Sequence, residues 1–170
     1  DKGNPGKVYD SVEIAQRSSI IGAKTGNTFE NLRLLYTGGH GIGMGTVNNV
    51  TFRNLEIGWI GGSAQHYSKG GMTRYGNGIE VYGGTNGFTI ENCYVYQCYD
   101  AGITHQYSSG GTGMIVHQNV FFRNNVIDKC IYNIEYFIGE GDTASVERYM
   151  KNINYTGNIL ARSGEGWGHQ

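Results

Sequence analysis

Two short patterns alternate along this chain and leave few folds open to it. The first is Gly or Asn, then a large apolar residue, then an alternating pair: HGIGMG from His40, NGIEVY from Asn77, AGITHQ from Ala101, YNIEYF from Tyr132 and, more weakly, EGWGHQ from Glu165. The second precedes each of them: FENLRL from Phe29, FRNLEI from Phe52, IENCYV from Ile90, FRNNVI from Phe122 and a degraded YTGNIL from Tyr155. Recurrence of this kind marks stacked structural repeats. The intervals between the equivalent Ile42, Ile79, Ile103 and Ile134 are unequal, as expected of a minimal coil into which loops are inserted.

Each repeat holds about three runs of strand length with period-2 alternation, separated by Gly or Asn, and no stretch suited to an amphipathic helix. Composition agrees. Twenty-nine Gly against one Pro, with 16% charged residues, argues against a helical protein. The absence of a G-X-Y period excludes collagen, and the regular scatter of Ile, Val, Phe and Tyr excludes a disordered linker. Asn31, Asn54, Asn92 and Asn124 share one column, with Gly157 in the last repeat, where a sharp bend calls for a left-handed residue. The fold class is therefore all-β: stacked coils of three short strands, a parallel β-helix, in a single domain over 1–170, with 1–28 an incomplete first coil and 29–170 clear repeats.

On these motifs the chain resembles the right-handed parallel β-helix of the pectin-lyase-like superfamily, from Phe29 to about Leu160. The resemblance implies about five coils with three sheets each, and a polysaccharide lying in a groove along the first sheet. It does not imply one chemistry, since lyases, glycosidases, esterases, tailspikes and adhesins share the fold. His40, in GGHGIG, is similar in setting to the histidine of polygalacturonases. That family's upstream aspartates and its Arg-Ile-Lys motif are missing here, so its mechanism is not carried over.

Assigning the GIEVY-type segments to the first sheet places Ile42, Ile79, Ile103, Ile134 and Trp167 inward. Gly43, Glu80, Thr104, Glu135 and Gly168 then point outward to solvent. Met44, Val81, His105, Tyr136 and His169 point inward again, and Gly45, Tyr82, Gln106 and Phe137 outward. Glu80 and Glu135, two coils apart, have backbones roughly 9–10 Å from each other, near the roughly 6.5–9.5 Å carboxyl separation of inverting glycosidases. Asp100, in the turn before the next strand, is either a third carboxylate of the groove or a turn residue. The expected catalytic set is Glu80, Glu135 and Asp100; His40, Arg74, Tyr82, Thr104, His105 and Gln106 are the expected substrate-binding set. By strict alternation His105 is a core histidine, and its binding role requires a local twist. The insertions at 61–76, after Gln106 and after Phe137 are expected to wall the groove, with Tyr67, Tyr75, Tyr82, Phe137 and Trp59 as sugar-stacking candidates.

These features point to a glycoside hydrolase, with a polysaccharide lyase or a non-catalytic glycan-binding module as alternatives, and with catalysis on coils outside these residues as a further one. No cofactor is expected: the acidic residues of the groove are too few and too spread for a confident calcium site. The expected partner is a poly- or oligosaccharide. A net charge of −1 with no basic run gives no footprint for nucleic acid or anionic lipid, and no apolar run approaches a membrane span. The expected location is secreted, at the cell surface or periplasmic; the N-terminus is not a signal peptide, so an exported protein would be represented here by a mature or excised piece. Cys98 and Cys130 stack on consecutive coils, as a disulfide or as free thiols, and Cys93 reads as core. Neither end shows a capping helix, so the chain is expected to be a fragment of a longer solenoid or to associate end to end.

Overall fold

The computed structural model describes residues 18–108, 113–139 and 147–167, and every regular element among them is a β-strand. Coil 1 comprises β1 (Ser19–Gly22), β2 (Thr28–Glu30) and β3 (Arg33–Thr37); coil 2 comprises β4 (His40–Met44), β5 (Val47–Arg53) and β6 (Glu56–Ile60). An inserted hairpin, β7 (Ala64–Ser68) and β8 (Gly71–Arg74), precedes coil 3, which is β9 (Ile79–Tyr82), β10 (Thr85–Glu91) and β11 (Tyr94–Cys98). Coil 4 is β12 (Ala101–Tyr107), β13 (Ile115–Arg123) and β14 (Val126–Asp128); coil 5 is β15 (Tyr132–Ile138), β16 (Arg148–Thr156) and β17 (Ile159–Ala161). The first strands of the five coils form sheet A, in the order β1-β4-β9-β12-β15, and the second and third strands form sheets B and C. Neighbouring coils pair in parallel, which makes the protein an all-β parallel β-helix of five coils. Strand β1, in SSIIG, adds a sheet-A strand ahead of the first repeat legible in the sequence.

The registers put Ile21, Ile42, Ile79, Ile103 and Ile134 in one inward column of sheet A. Leu34, Ile57, Val95, Ile127 and Leu160 form the matching column of sheet C. Between them runs an aromatic spine: Phe29 stacks on Phe52, Phe52 and Phe122 each meet Phe88 edge-to-face, and Phe122 stacks on Tyr155 at 4.8 Å. Phe52, Phe88 and Phe122 are fully buried, each contributing roughly 1.5–3 kcal/mol by leaving water. The column opens at coil 5, where Leu160 is 53% exposed and Tyr136 57%.

The Gly of the G-I motif is explained by the stacking. A Cβ on Gly78 would lie 2.4 Å from the Gly102 carbonyl oxygen and 2.6 Å from Val95, and one on Gly102 would lie 2.5 Å from Ile127. Any side chain there would push the coils apart. The bends use left-handed residues in three columns, not one. Asn31, Asn54, Asn92, Asn124 and Gly157 turn sheet B into sheet C; Gly26, Asn49, Gly87, Asn119 and Asn152 bend sheet B; Tyr36, Trp59, Gln97, Lys129 and Arg162 bend sheet C. The amide of Asn54 donates to Asn31, and that of Asn152 to Asn119. The third column is occupied by bulky residues that rarely adopt positive φ, so it has no simple sequence signature.

Two expectations are revised, and one left open is settled. Trp167 does not join the inward column of Ile42, Ile79, Ile103 and Ile134: a turn at Gly164, whose N–H donates to the Cys130 carbonyl, takes the chain back over the earlier coils. The indole then packs edge-to-face on Tyr99 and donates to the Ile60 carbonyl. Trp59 lies on sheet C, so it is not in the groove of sheet A. Cys93, Cys98 and Cys130 are all buried free thiols, and burial beside Cys130 pushes the Cys98 thiol well above its ordinary value. Expectations for Gly168 and His169, and for parts of the two later insertions, fall outside the described residues.

Candidate active site

Sheet A presents two chemistries on adjacent residues. Gly43, Glu80, Thr104 and Glu135 are in register on its outer face, and Met44, Val81, His105 and Tyr136 on its inner face. Glu80 does point away from the core, yet only 7% of it is exposed. Alternation sets the direction of a side chain and not what lies over it. Here the cover comes from His40, on the neighbouring strand, and from Asn77, at the corner where the chain enters β9.

Asn77 organises this corner. Its backbone N–H donates to His40 Nδ1 (3.1 Å), its side-chain oxygen accepts the Ala101 N–H (2.8 Å), and its side-chain NH2 therefore faces and donates to Glu80 Oε2. An amide N–H only donates, so the Ala101 bond fixes which way the Asn77 amide is turned. Glu80 Oε2 also lies 3.1 Å from His40 Nδ1. One ring nitrogen thus meets a donor and an acceptor. As a lone pair it takes the Asn77 amide, or carrying the proton it gives it to Glu80. Burial pushes His40 down to about 4, against the opposing pull of Asp100, so the ring is neutral. Burial also raises Glu80, partly offset by its bond from Asn77.

A cavity of about 430 Å3 opens over this corner. Its lining includes Glu80, Asp100, His40 and Asn77, with Tyr75, Tyr82 and Gln106 completing the wall. Tyr75 leaves the inserted hairpin to stack on His40, 5.1 Å between ring centroids. The Tyr82 hydroxyl bonds Ser108 at 2.6 Å, and its ring lies against Tyr107. Asp100 is held at the corner through its backbone: its N–H donates to Gly76, and its carbonyl accepts the Ile131 N–H. Glu135, half-buried on β15, is pushed up to about 7 by burial and then by the nearby charges of Asp100 and Glu80. Glu80 and Asp100 line one hollow, and Glu135, two strands from Glu80, feels the charge of both, an arrangement that can separate a proton donor from an ionised partner.

Other expected residues lie elsewhere. Arg74 ends β8, exposed and paired across the hairpin with Ala64, outside the lining. Thr104 is fully buried between Glu80 and Glu135, and its hydroxyl has no hydrogen-bond partner among the described residues. His105 is a core residue on the far side of the sheet, as strict alternation dictates. It meets His117 at 2.8 Å through the two Nδ1 atoms, while its Nε2 faces the Tyr155 hydroxyl. Asn77 is the residue that sequence reading missed. Its signal is modest: an Asn at the first position of NGIEVY, where the corresponding residue of the next coil is Ala101. Among the described residues no cluster of three or more His, Cys, Asp or Glu side chains is set to hold a metal ion. The chain matches no protein-family model, and neither a curated protein nor a solved structure matches it at a significant level.

Proposed function

We propose that this chain is a carbohydrate-active β-helix of the pectin-lyase-like kind that hydrolyses glycosidic bonds in the groove along sheet A. The observation that carries the reading is the cavity at the His40–Asn77 corner, which Glu80 and Asp100 line together with Glu135 alongside. Its volume falls in the roughly 300–1,000 Å3 range of small-ligand sites, and the Tyr75 and Tyr82 rings suit the apolar faces of sugars. In this scheme Glu80, kept toward the protonated form by burial, protonates the glycosidic oxygen. Asp100 serves as the partner carboxylate that activates water or attacks the anomeric carbon. Glu135, raised to about 7 by burial and by the charges of Asp100 and Glu80, holds a proton into the neutral range beside them. His40 and Asn77 keep the Glu80 carboxyl in place. A polymeric substrate puts the protein outside the cell or in the periplasm.

The test is release of reducing ends from polysaccharides by the purified chain and by Glu80→Gln and Asp100→Asn. Each substitution preserves shape and removes one acid–base group, and each is expected to lower turnover by about 10²–10⁴-fold with melting temperature retained. Turnover equal to the parent in both variants sinks the proposal. An unsaturated product turns the reaction into elimination, and glycan binding without any product reduces the site to a binding module.

A further inference from the structure

On the outer face of sheet A, two neighbouring residues each hold an oxygen without a protein partner among the described residues. Thr104 is in register with Glu80 on one adjoining strand and with Glu135 on the other. It is fully buried, and its Oγ1 is enclosed with no hydrogen-bond partner among the described residues. On Glu80, the Asn77 amide and His40 Nδ1 both meet Oε2, and Oε1 is the oxygen left over. A buried hydroxyl without a bond is costly. Enclosure keeps water from it, so its partner has to be a protein group, and the Glu80 backbone is one strand spacing away, roughly 4.8 Å.

The two oxygens suit each other in one protonation state and not in the other. Oε2 accepts the Asn77 amide, and the carbonyl oxygen of a carboxylic acid is the better acceptor, so the acidic proton of Glu80 belongs on Oε1. While Oε1 carries it, that oxygen accepts weakly and the Thr104 hydroxyl gains little by turning to it. In acid catalysis the proton passes to the glycosidic oxygen and the electron pair of the O–H bond stays on Oε1. The carbon–oxygen bond of the sugar breaks with its pair on the leaving oxygen, which keeps the proton. Oε1 is then one end of a carboxylate, to which an O–H bond is roughly twice as strong as to a neutral oxygen. A bond made only as that charge appears lowers the barrier without tightening the bound ground state.

We propose that Thr104 is a positioning residue for the acid of this site, its hydroxyl donating to Glu80 Oε1 as that carboxyl gives up its proton. The proposal rests on the hydrolase reading. Glu80 is the acceptor, not Glu135, because Asn77 and His40 already anchor its carboxyl through the other oxygen, whereas Glu135 is half-buried and has no such anchor among the described residues. Thr104→Val keeps the shape and removes the hydroxyl, and Thr104→Ser keeps the hydroxyl. The other groups facing Glu80, namely His40, Tyr75, Tyr82 and Asp100 around the cavity and Glu135 two strands away, are the same in parent and variants. At pH 4.5, where burial keeps Glu80 protonated, the Val variant is expected to melt no lower than the parent, since the hydroxyl it loses is unpaired. The Glu80 titration midpoint, followed by 13C NMR of carboxyl-labelled glutamate and assigned with Glu80→Gln, rises by about one pH unit, the ionised form having lost a donor. On a polysaccharide that the parent cleaves, kcat falls about 10–100-fold with KM unchanged, and Ser restores both midpoint and kcat. A Val variant that melts lower at pH 4.5, or an unmoved Glu80 midpoint, overturns the proposal while leaving hydrolysis standing. So does a midpoint that moves at Glu135 in place of Glu80. A Glu80 midpoint that moves in a protein releasing no reducing ends from any polysaccharide overturns the hydrolase reading and upholds the Thr104–Glu80 bond.

Discussion

His40 and His105 sit on the same sheet, both neutral because burial disfavours their charge, and they differ in how their nitrogens are satisfied. In the core every position is assigned. His117 Nε2 must donate to the Gly83 carbonyl (2.8 Å), so its Nδ1 accepts from His105 Nδ1–H, and His105 Nε2 accepts the Tyr155 hydroxyl. One arrangement of protons fits this chain, and both rings are buried away from solvent. At the corner, His40 Nδ1 faces both the Asn77 N–H and Glu80 Oε2 beside a cavity. Two arrangements compete there. A closed network specifies a structure, whereas a contested proton next to open space is what acid–base chemistry requires.

The comparison is broken most directly in the core. His117→Ala strands the Gly83 carbonyl and the His105 Nδ1–H and opens a void, which costs about 3–5 kcal/mol in chemical denaturation. The shape of the pH–rate profile should not move, and a shift in it would join the two networks. Acid tests the same contrast. His105 is depressed to about 3, by burial and then by His117, from a reference of 6.5. The stability it contributes is therefore present above about pH 6.5 and lost as pH falls toward 3, by on the order of a few kcal/mol. Glu135 runs the other way. Raised from 4.5 to about 7, its contribution is present below about 4.5 and lost as pH rises through 7. Melting temperature against pH should peak between these limits. His105→Phe combined with His117→Leu flattens the acid limb, and Glu135→Gln flattens the alkaline one. A double variant whose melting still falls as steeply below pH 6.5 would refute the first assignment.

At the corner, Asn77→Ala removes the two side-chain hydrogen bonds, to Glu80 and from the Ala101 N–H, keeps the backbone bond to His40, and leaves Glu80 to His40 alone. Turnover is expected to fall about 10–100-fold with a displaced acid limb in the pH–rate profile; a loss of stability with an unmoved profile reduces Asn77 to a structural residue. The smallest effect belongs to Arg74→Ala, exposed and off the cavity, with stability changed by less than about 0.5 kcal/mol and turnover on short oligosaccharides unaltered. A marked rise in KM would bring Arg74 back to the substrate.

Most of the fold was legible in the sequence because its signals are local. Period-2 alternation fixed which residues of GIEVY share a face, and the Asn bends fixed where sheet B ends. The outer column of Glu80, Thr104 and Glu135 was read in its register. What covers that column was not legible: His40 and Asn77 come from different coils, and the lean of a side chain leaves no periodic trace. The same limit hid the exposure of Arg74, which depends on how the hairpin stands. The reversal at Gly164 was disguised by EGWGHQ, which imitates the first pattern. The sheet-C bend at Tyr36, Trp59 and Gln97 escaped because those residues rarely take positive φ, so nothing in their identity announces it.

The inserted hairpin leaves and rejoins the coil at a single point. A Cβ on Gly76 would lie 2.0 Å from the Gly61 Cα, so the two ends of the insertion touch. The β-helix therefore does not register the length of what hangs from it, since neither end has to be moved to admit more residues or fewer. Tyr75, a wall of the cavity, belongs to the hanging segment, whereas Glu80 and Asp100 belong to the coil. Under the proposed reading, a wall of the cavity and its two lining carboxyl groups are thus carried on separable stretches of chain, and the first can be exchanged at that glycine neck while the second is inherited intact.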